Sequence, residues 1–260
     1  MVGDLAPQER FTDRVADYVR SRPSYPPQVI ACLVEECGLK PTWSIADVGA
    51  GTGLLSTLFL QHGNTVHAIE PNAAMRAAAV AALGENPRFI PVAGSAEATT
   101  LPAQSVELVV AGQAFHWFDP HEARGEFQRI LKPGGFVALV WNMRRKGEPF
   151  SDAYEALLQR FGTDYQRVCA ERIDLDMIKT FFASPVDQPL NLHVRRFKNS
   201  QTLDWQGLHG RLLSSSYVPK EDNPCFELMI TELKDIFQRF QHQGTIDFPY
   251  ETVMYYGRLD

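Results

Sequence analysis

Between Ser44 and Trp141 short apolar runs alternate with stretches of helical period. SIADVG reads as a strand and leads into a helix from about Gly53 to His62; TVHAIE is a second strand, and NAAMRAAAVAAL an alanine-rich helix with Asn72 at its N-cap. RFIPVAG and VELVVAG supply two more strands. A helix from about His121 to Leu131 stops at Lys132-Pro133-Gly134-Gly135, which opens a fifth strand, FVALVW. These runs are rich in Val, Ile and Ala without strict alternation, the pattern of strands covered by helices on both faces. After Trp141 the rhythm changes. Two helical patterns, SDAYEALLQRF and RIDLDMIKTFF, follow each other directly, then come strand-like NLHVRRFK, helices near 202–213 and 225–240, and strand-like FPYETVMYYGRL. The pattern predicts an α/β fold with one doubly wound sheet and a helical insertion between its fifth strand and its final two. Such an insertion sits at the carboxyl ends of the strands, where open α/β sheets bind ligands.

Composition narrows the function classes. The 260 residues fit one large domain, or a core of about 150 residues with an elaboration. A net charge of −6 offers no basic excess for neutralising phosphates, which argues against nucleic acid as a partner. Cys32, Cys37, Cys169 and Cys225 form no CxxC pair and no zinc spacing, and read as reduced, mostly buried residues of a cytoplasmic protein. No two His residues pair at a metal-binding spacing, so no metal is expected. The stretch MVGDLAPQERFTDRVADYVRSRP is charged throughout and lacks the apolar core of a signal peptide; no run reaches the ~20 apolar residues of a membrane span.

The densest chemistry lies in DVGAGTG, where Gly49, Gly51 and Gly53 follow Asp47. A dinucleotide fingerprint places its third glycine one residue later, where this chain has Leu54. No Gly-Lys-Ser/Thr closes the turn, so it is not a P-loop. Backbone can come close to a ligand here, and the following helix N-terminus favours negative charge, a phosphate or a carboxylate. The second strand ends on Glu70, an acid placed to accept both hydroxyls of a ribose. Turn and acid in one βαβ unit predict a nucleoside ligand.

DVGAGTG, IEPNAAM, GSAEATTLP, VVAGQAFHWFD and RILKPGGFVAL, in this order, resemble the class I S-adenosylmethionine-dependent methyltransferases of the small-molecule group with a type 11 methyltransferase domain. The resemblance spans Phe11 to Trp141, and FTDRVADYVRSRPSYP and QAFHWFD are similar to a subgroup that includes trans-aconitate-type carboxyl methyltransferases. It implies S-adenosyl-L-methionine as cofactor and a Rossmann-like, seven-stranded, mostly parallel sheet with an antiparallel last strand. It further implies a helical lid over residues 1–40, a cofactor-binding core over 41–142, and a substrate cap over 143–260 that completes the same domain. On this resemblance Asp47 and the backbone of Gly49, Ala50, Gly51 and Gly53 hold the methionine moiety, and Glu70 takes the ribose. Pro71, Asn72 and Met75 border sugar and adenine. The family commonly has Asp before Ala96; this chain has Ser95, which leaves the Ala96 amide and Glu97 as adenine contacts. Gln113, Ala114 and Phe115 line the sulfonium side, while Tyr18 and Arg22 fold over the methionine end, Arg22 on its carboxylate.

Methyl transfer from a sulfonium is an in-line displacement on an activated carbon, so alignment and exclusion of water are the main tasks. A base is needed only for an acceptor that still carries its proton. His116 has a suitable pKa for that role, or holds its loop by packing. Trp117 and Phe118 wall the pocket or join the core. Arg144 and Arg145 suit an anionic acceptor or are simply solvated, one of Arg195 and Arg196 faces outward, and Ser215 or Tyr217 could reach the acceptor. The expected partner is a small molecule acted on by a monomer or homodimer. Asn/Asp-Pro-Pro-Tyr/Phe is absent, and Cys225 after Pro224 lies far from the fourth strand, against a nucleic-acid methyltransferase. Two alternatives stay open: a binding protein without turnover, and an NAD(P)-dependent oxidoreductase.

Overall fold

A computed structural model describes residues 22–163, 165, 174–183, 191–215 and 217–259, and in it the apolar runs pair into one seven-stranded sheet. The strands are β1 (Ser44–Val48), β2 (Thr65–Ile69), β3 (Phe89–Val92), β4 (Val106–Gly112), β5 (Leu131–Arg144), β6 (Leu192–Leu203) and β7 (Ile246–Gly257). Their order is β3-β2-β1-β4-β5-β7-β6. β3, β2, β1, β4 and β5 are parallel neighbours, and β7 runs antiparallel between β5 and β6. The order reverses between β1 and β4, which opens a crevice beyond their carboxyl ends.

Alternation along the strands splits the core. Ile45, Leu108, Val110, Ala138 and Val140 face helices α1 (Gln28–Cys37) and α2 (Leu54–His62), whose Leu33 and Phe59 are fully buried against them. Ala46, Val109, Ala111, Leu139 and Trp141 face the opposite way, onto Phe127 of α4 (Pro120–Ile130) and Phe181 of α6 (Leu175–Phe182). Between them in sequence, α3 (Ala73–Leu83) follows β2. A third cluster joins α5 (Pro149–Phe161), α7 (Trp205–Leu213) and α8 (Phe226–Phe240) to the early residues of β7, among them Phe248 and Tyr250. Burial of each such ring contributes about 1.5–3 kcal/mol.

The helix starts follow their caps. Asn72 Oδ1 accepts from the Ala74 and Met75 amides at 2.9 and 3.0 Å, and Asp119 Oδ1 accepts likewise from His121 and Glu122 ahead of α4. Asn72→Ala should therefore cost about 1 kcal/mol, read in urea unfolding as a lower midpoint with an unchanged slope.

Two expectations need correcting. β6 runs on to Leu203, because it pairs with β7 along its whole length; α7 starts only at Trp205, after Asp204 takes the Gly207 amide at 2.7 Å. Arg195 and Arg196 are both exposed on this edge strand, paired to Glu36 at 2.8 Å and Glu251 at 2.6 Å, so neither turns inward. Of the cysteines, Cys32 and Cys37 are buried and Cys225 is exposed; Cys169 lies outside the described residues.

Candidate active site

The turn from β1 into α2 sets the geometry of the crevice. Gly49, Gly51 and Gly53 have φ of +69°, +59° and +84°, a region strained for any residue with a Cβ. A Cβ on Gly49 would stand 2.6 Å from Ala114 Cβ, and one on Gly53 2.5 Å from Leu83 Cδ1, so these two glycines let the turn pack against its neighbours. A Cβ on Gly51 would meet nothing within 4 Å. Gly51 opens onto the crevice.

The amides of all three turn glycines and of Ala50 are already used. Gly49 and Ala50 N–H both donate to the Ile69 carbonyl, at 2.9 and 3.0 Å, and Gly53 N–H donates to Ala50 at 2.9 Å. Gly51 N–H donates to Glu70 Oε2 at 2.8 Å, and Asn72 N–H to Glu70 Oε1 at 2.8 Å. Each carboxylate oxygen keeps a further lone pair, and Glu70 lies in the crevice wall. Burial pushes the Glu70 pKa up, opposed by the Asn72 and Gly51 amides and by Arg76. Beneath the turn Asp47 is fully buried: Oδ2 accepts from Ser56 Oγ at 2.6 Å, and Oδ1 has no partner. Burial lifts its pKa to about 7, resisted by the Ser56 hydroxyl and reinforced by the Glu70 charge.

The crevice encloses about 880 Å³ of empty space, the open solvent at its mouth included. It brings together Gly49, Gly51, Glu70, Pro71, Asn72, Met75, Ser95, Ala96, Glu97, Gln113, Ala114, Trp117 and Phe118, all named from the sequence, and adds Gly112. Gly112 escaped the sequence reading. Its signal is the close approach of Tyr25, whose hydroxyl would stand 2.5 Å from a Cβ there. Gln113 has φ +58°, rare for a side chain, and its Nε2 donates to the Asn142 carbonyl at 2.9 Å.

Other expected residues lie elsewhere. Ala50 and Gly53 are not in the crevice wall, and Asp47 sits below it. The Phe115 ring points into the core rather than the crevice, with the Phe181 ring centroid at 4.8 Å and those of Phe118 and Trp141 at 5.9 and 6.4 Å. The cause is the short 3-10 turn over Phe115–Trp117, which directs successive side chains to different sides. His116 is half-buried against the Trp117 ring at 4.7 Å and does not line the crevice. Arg22, Arg144 and Tyr217 gather in a second polar cluster. Arg22 Nη2 donates to the Ser214 carbonyl at 2.6 Å, and Arg144 binds Glu155 at 3.1 Å, Tyr165 at 2.5 Å and Tyr217 at 3.2 Å. Arg145 pairs with Glu148 at 3.2 Å on the surface. Tyr18 lies outside the described residues. Among the described residues no three His, Cys, Asp or Glu side chains group as metal ligands, and no helix is long and apolar enough to cross a membrane.

Comparison with known proteins finds methyltransferases among those similar to this chain. A methyltransferase-domain family matches residues 46–139. The chain is 40% identical to an uncharacterized methyltransferase of Mycobacterium tuberculosis over 52% of each chain, so it spans about half the length of that relative. An uncharacterized methyltransferase of Schizosaccharomyces pombe is 29% identical over 94% of this chain and 95% of its own. In fold, a candidate type II methyltransferase from Anaeromyxobacter dehalogenans superposes with a TM-score of 0.64, at 21% identity, over 92% of this chain and 98% of its own. The turn at Gly49–Gly53, the acid after β2 and the aromatic rim after β4 thus stand in the stretch, residues 46–139, that matches the methyltransferase-domain family, on a fold shared with the Anaeromyxobacter protein.

Proposed function

We propose that this protein is an S-adenosyl-L-methionine-dependent methyltransferase whose acceptor is a small molecule, methylated on a carboxylate or hydroxyl oxygen. One observation carries the cofactor reading: the Gly49, Ala50, Gly51 and Gly53 amides are used within the protein, and the turn faces the crevice with the bare backbone of Gly51 beside the Glu70 carboxylate. Such a surface repels a phosphate and suits a ribose diol on a cationic ligand. It also weighs against an NAD(P) cofactor.

The residues present fit the group. Glu70 would hold the ribose hydroxyls, Pro71 and Met75 would border sugar and adenine, and Ala96 and Glu97 would meet the base. Asp47 would supply negative potential beneath the amino-acid end. When bound, the cofactor supplies a methyl group on cationic sulfur, open to in-line displacement. The protein's part is to align the acceptor and exclude water, and Ala114, Trp117 and Phe118 wall the crevice for that purpose.

An acceptor carboxylate brings no proton to remove, so it needs no base. On that reading His116, packed against Trp117 outside the crevice wall, steadies the rim. His116→Ala should leave S-adenosylhomocysteine affinity intact and lower turnover about tenfold, because Trp117 loses its support and the acceptor is aligned less well. Unchanged turnover with every acceptor would assign His116 to loop packing alone.

Calorimetry of the full chain tests the reading directly. S-adenosylhomocysteine should bind and NADH should not; failure of the first would sink the proposal. A screen of small carboxylic acids, phenols and amines with labelled cofactor then identifies the acceptor. Binding without transfer to any of them would favour a protein that holds the cofactor without turnover.

A further inference from the structure

Arg211, on α7, is 3% exposed inside the third core cluster and belongs to no part of the cofactor crevice. Its Nε donates to the Tyr250 hydroxyl at 3.0 Å and its Nη1 to Ser215 Oγ at 3.3 Å, while its guanidinium lies 5.9 Å from the Phe248 ring centroid. Among the described residues no carboxylate stands within ion-pair distance of it. The neighbouring Arg144 has Glu155 at 3.1 Å and Arg22 donates to the Ser214 carbonyl, so among the described residues guanidinium groups outnumber the one carboxylate of the cluster. A buried charge without a counter-charge costs several kcal/mol, and hydroxyl dipoles compensate only part of that.

A second group points the same way. Tyr154 on α5 is fully buried, its ring centroid is 4.9 Å from that of Phe248, and its hydroxyl has no partner. Buried hydroxyls are nearly always hydrogen-bonded, so an orphan beside an unneutralised cation marks a place for an acceptor atom.

The cluster adjoins the crevice along the carboxyl ends of β4 and β5. Tyr250 is the register partner of Arg144 at the carboxyl end of β5, next to the end of β4 where Gln113 lines the crevice. Gln113 donates to Asn142, two residues before Arg144, and Asn142 Nδ2 donates to the Ser24 carbonyl at 3.2 Å. Segment 22–25 therefore runs between the two, from Arg22 on Ser214 to Tyr25 on Gly112.

We infer that Arg211, with the Tyr154 hydroxyl, binds a carboxylate of the acceptor, and that the acceptor class is small organic acids. The expectation of an anion-binding arginine thus moves from Arg144, which Glu155 already neutralises, to Arg211. The inference rests on the methyltransferase reading, and its test keeps the two apart.

The full chain, saturated with S-adenosylhomocysteine, is titrated by calorimetry with a panel of small mono-, di- and tricarboxylates and with their neutral amides. At least one acid should bind tenfold or more tightly than its amide. Arg211→Met should abolish that preference, and Arg211→Lys should keep part of it. Tyr154→Phe removes one unpartnered oxygen, so it should leave the melting temperature of the ligand-free protein unchanged or higher while weakening the acid severalfold. No acid preferred over its amide, or a preference that survives in both Arg211→Met and Tyr154→Phe, overturns the inference. Loss of melting temperature in both variants with the preference intact would make the cluster structural. Absence of S-adenosylhomocysteine binding, measured in the same samples, would instead overturn the methyltransferase reading.

Discussion

Glu70→Ala should weaken S-adenosylhomocysteine binding about a hundredfold, roughly 3 kcal/mol, with little change in the fold. The loss has two sources. Hydrogen bonds from ribose hydroxyls to a buried carboxylate are charge-assisted and stronger than neutral ones. The same carboxylate also anchors the Gly51 and Asn72 amides at 2.8 Å, so its removal frees the glycine turn and the entry to α3. Glu70→Gln should fall between the two, because one of its terminal atoms becomes a donor facing an amide that is also a donor. An unchanged dissociation constant for the alanine variant would remove Glu70 from the site.

The second large effect concerns pH. The Asp47 carboxyl titrates near 7 in the folded chain, against about 3.9 when unfolded. A folded pKa above the unfolded one means that the native state binds more protons between these values. The stabilisation is therefore complete below pH ~4 and is lost as pH rises through about 7, a difference on the order of 4 kcal/mol. Asp47→Asn should remove that slope. Denaturant unfolding of the ligand-free proteins should show the variant more stable than wild type at about pH 8, with the gap closing toward pH 5. Parallel profiles for the two proteins would refute the assignment. The same substitution should weaken the cofactor, since a neutral amide offers no attraction to an ammonium group.

Sheet and helices were largely legible because periodicity reports burial directly. Val and Ala runs gave the parallel strands, and Asn72 gave the start of α3 through its own side-chain geometry. The glycine turn was legible for a similar reason, since only glycine accepts its backbone angles without strain. Direction was not. Phe115, His116 and Trp117 follow one another, and the tight turn that sends Phe115 to the core and Trp117 to the crevice has no periodic signature. Arg211 was invisible for another reason. GLHGRLLSSS marks nothing special around it, and its environment assembles from Tyr154, Phe248 and Tyr250, which are distant in sequence. Likewise β6 outran its apolar pattern, because an edge strand with an exposed face is held by its ladder to β7 rather than by its side chains.

The position of β7 constrains how the molecule is made. Until residues 246–257 leave the ribosome, β5 lacks a neighbour on one side and β6 lacks any neighbour at all. The cofactor half can close early, from β1 to β5, whereas the cluster around Arg211 has to wait for Phe248 and Tyr250. The growing chain thus carries an open apolar strand edge through much of its synthesis, an invitation to wrong pairing that chaperones would have to guard.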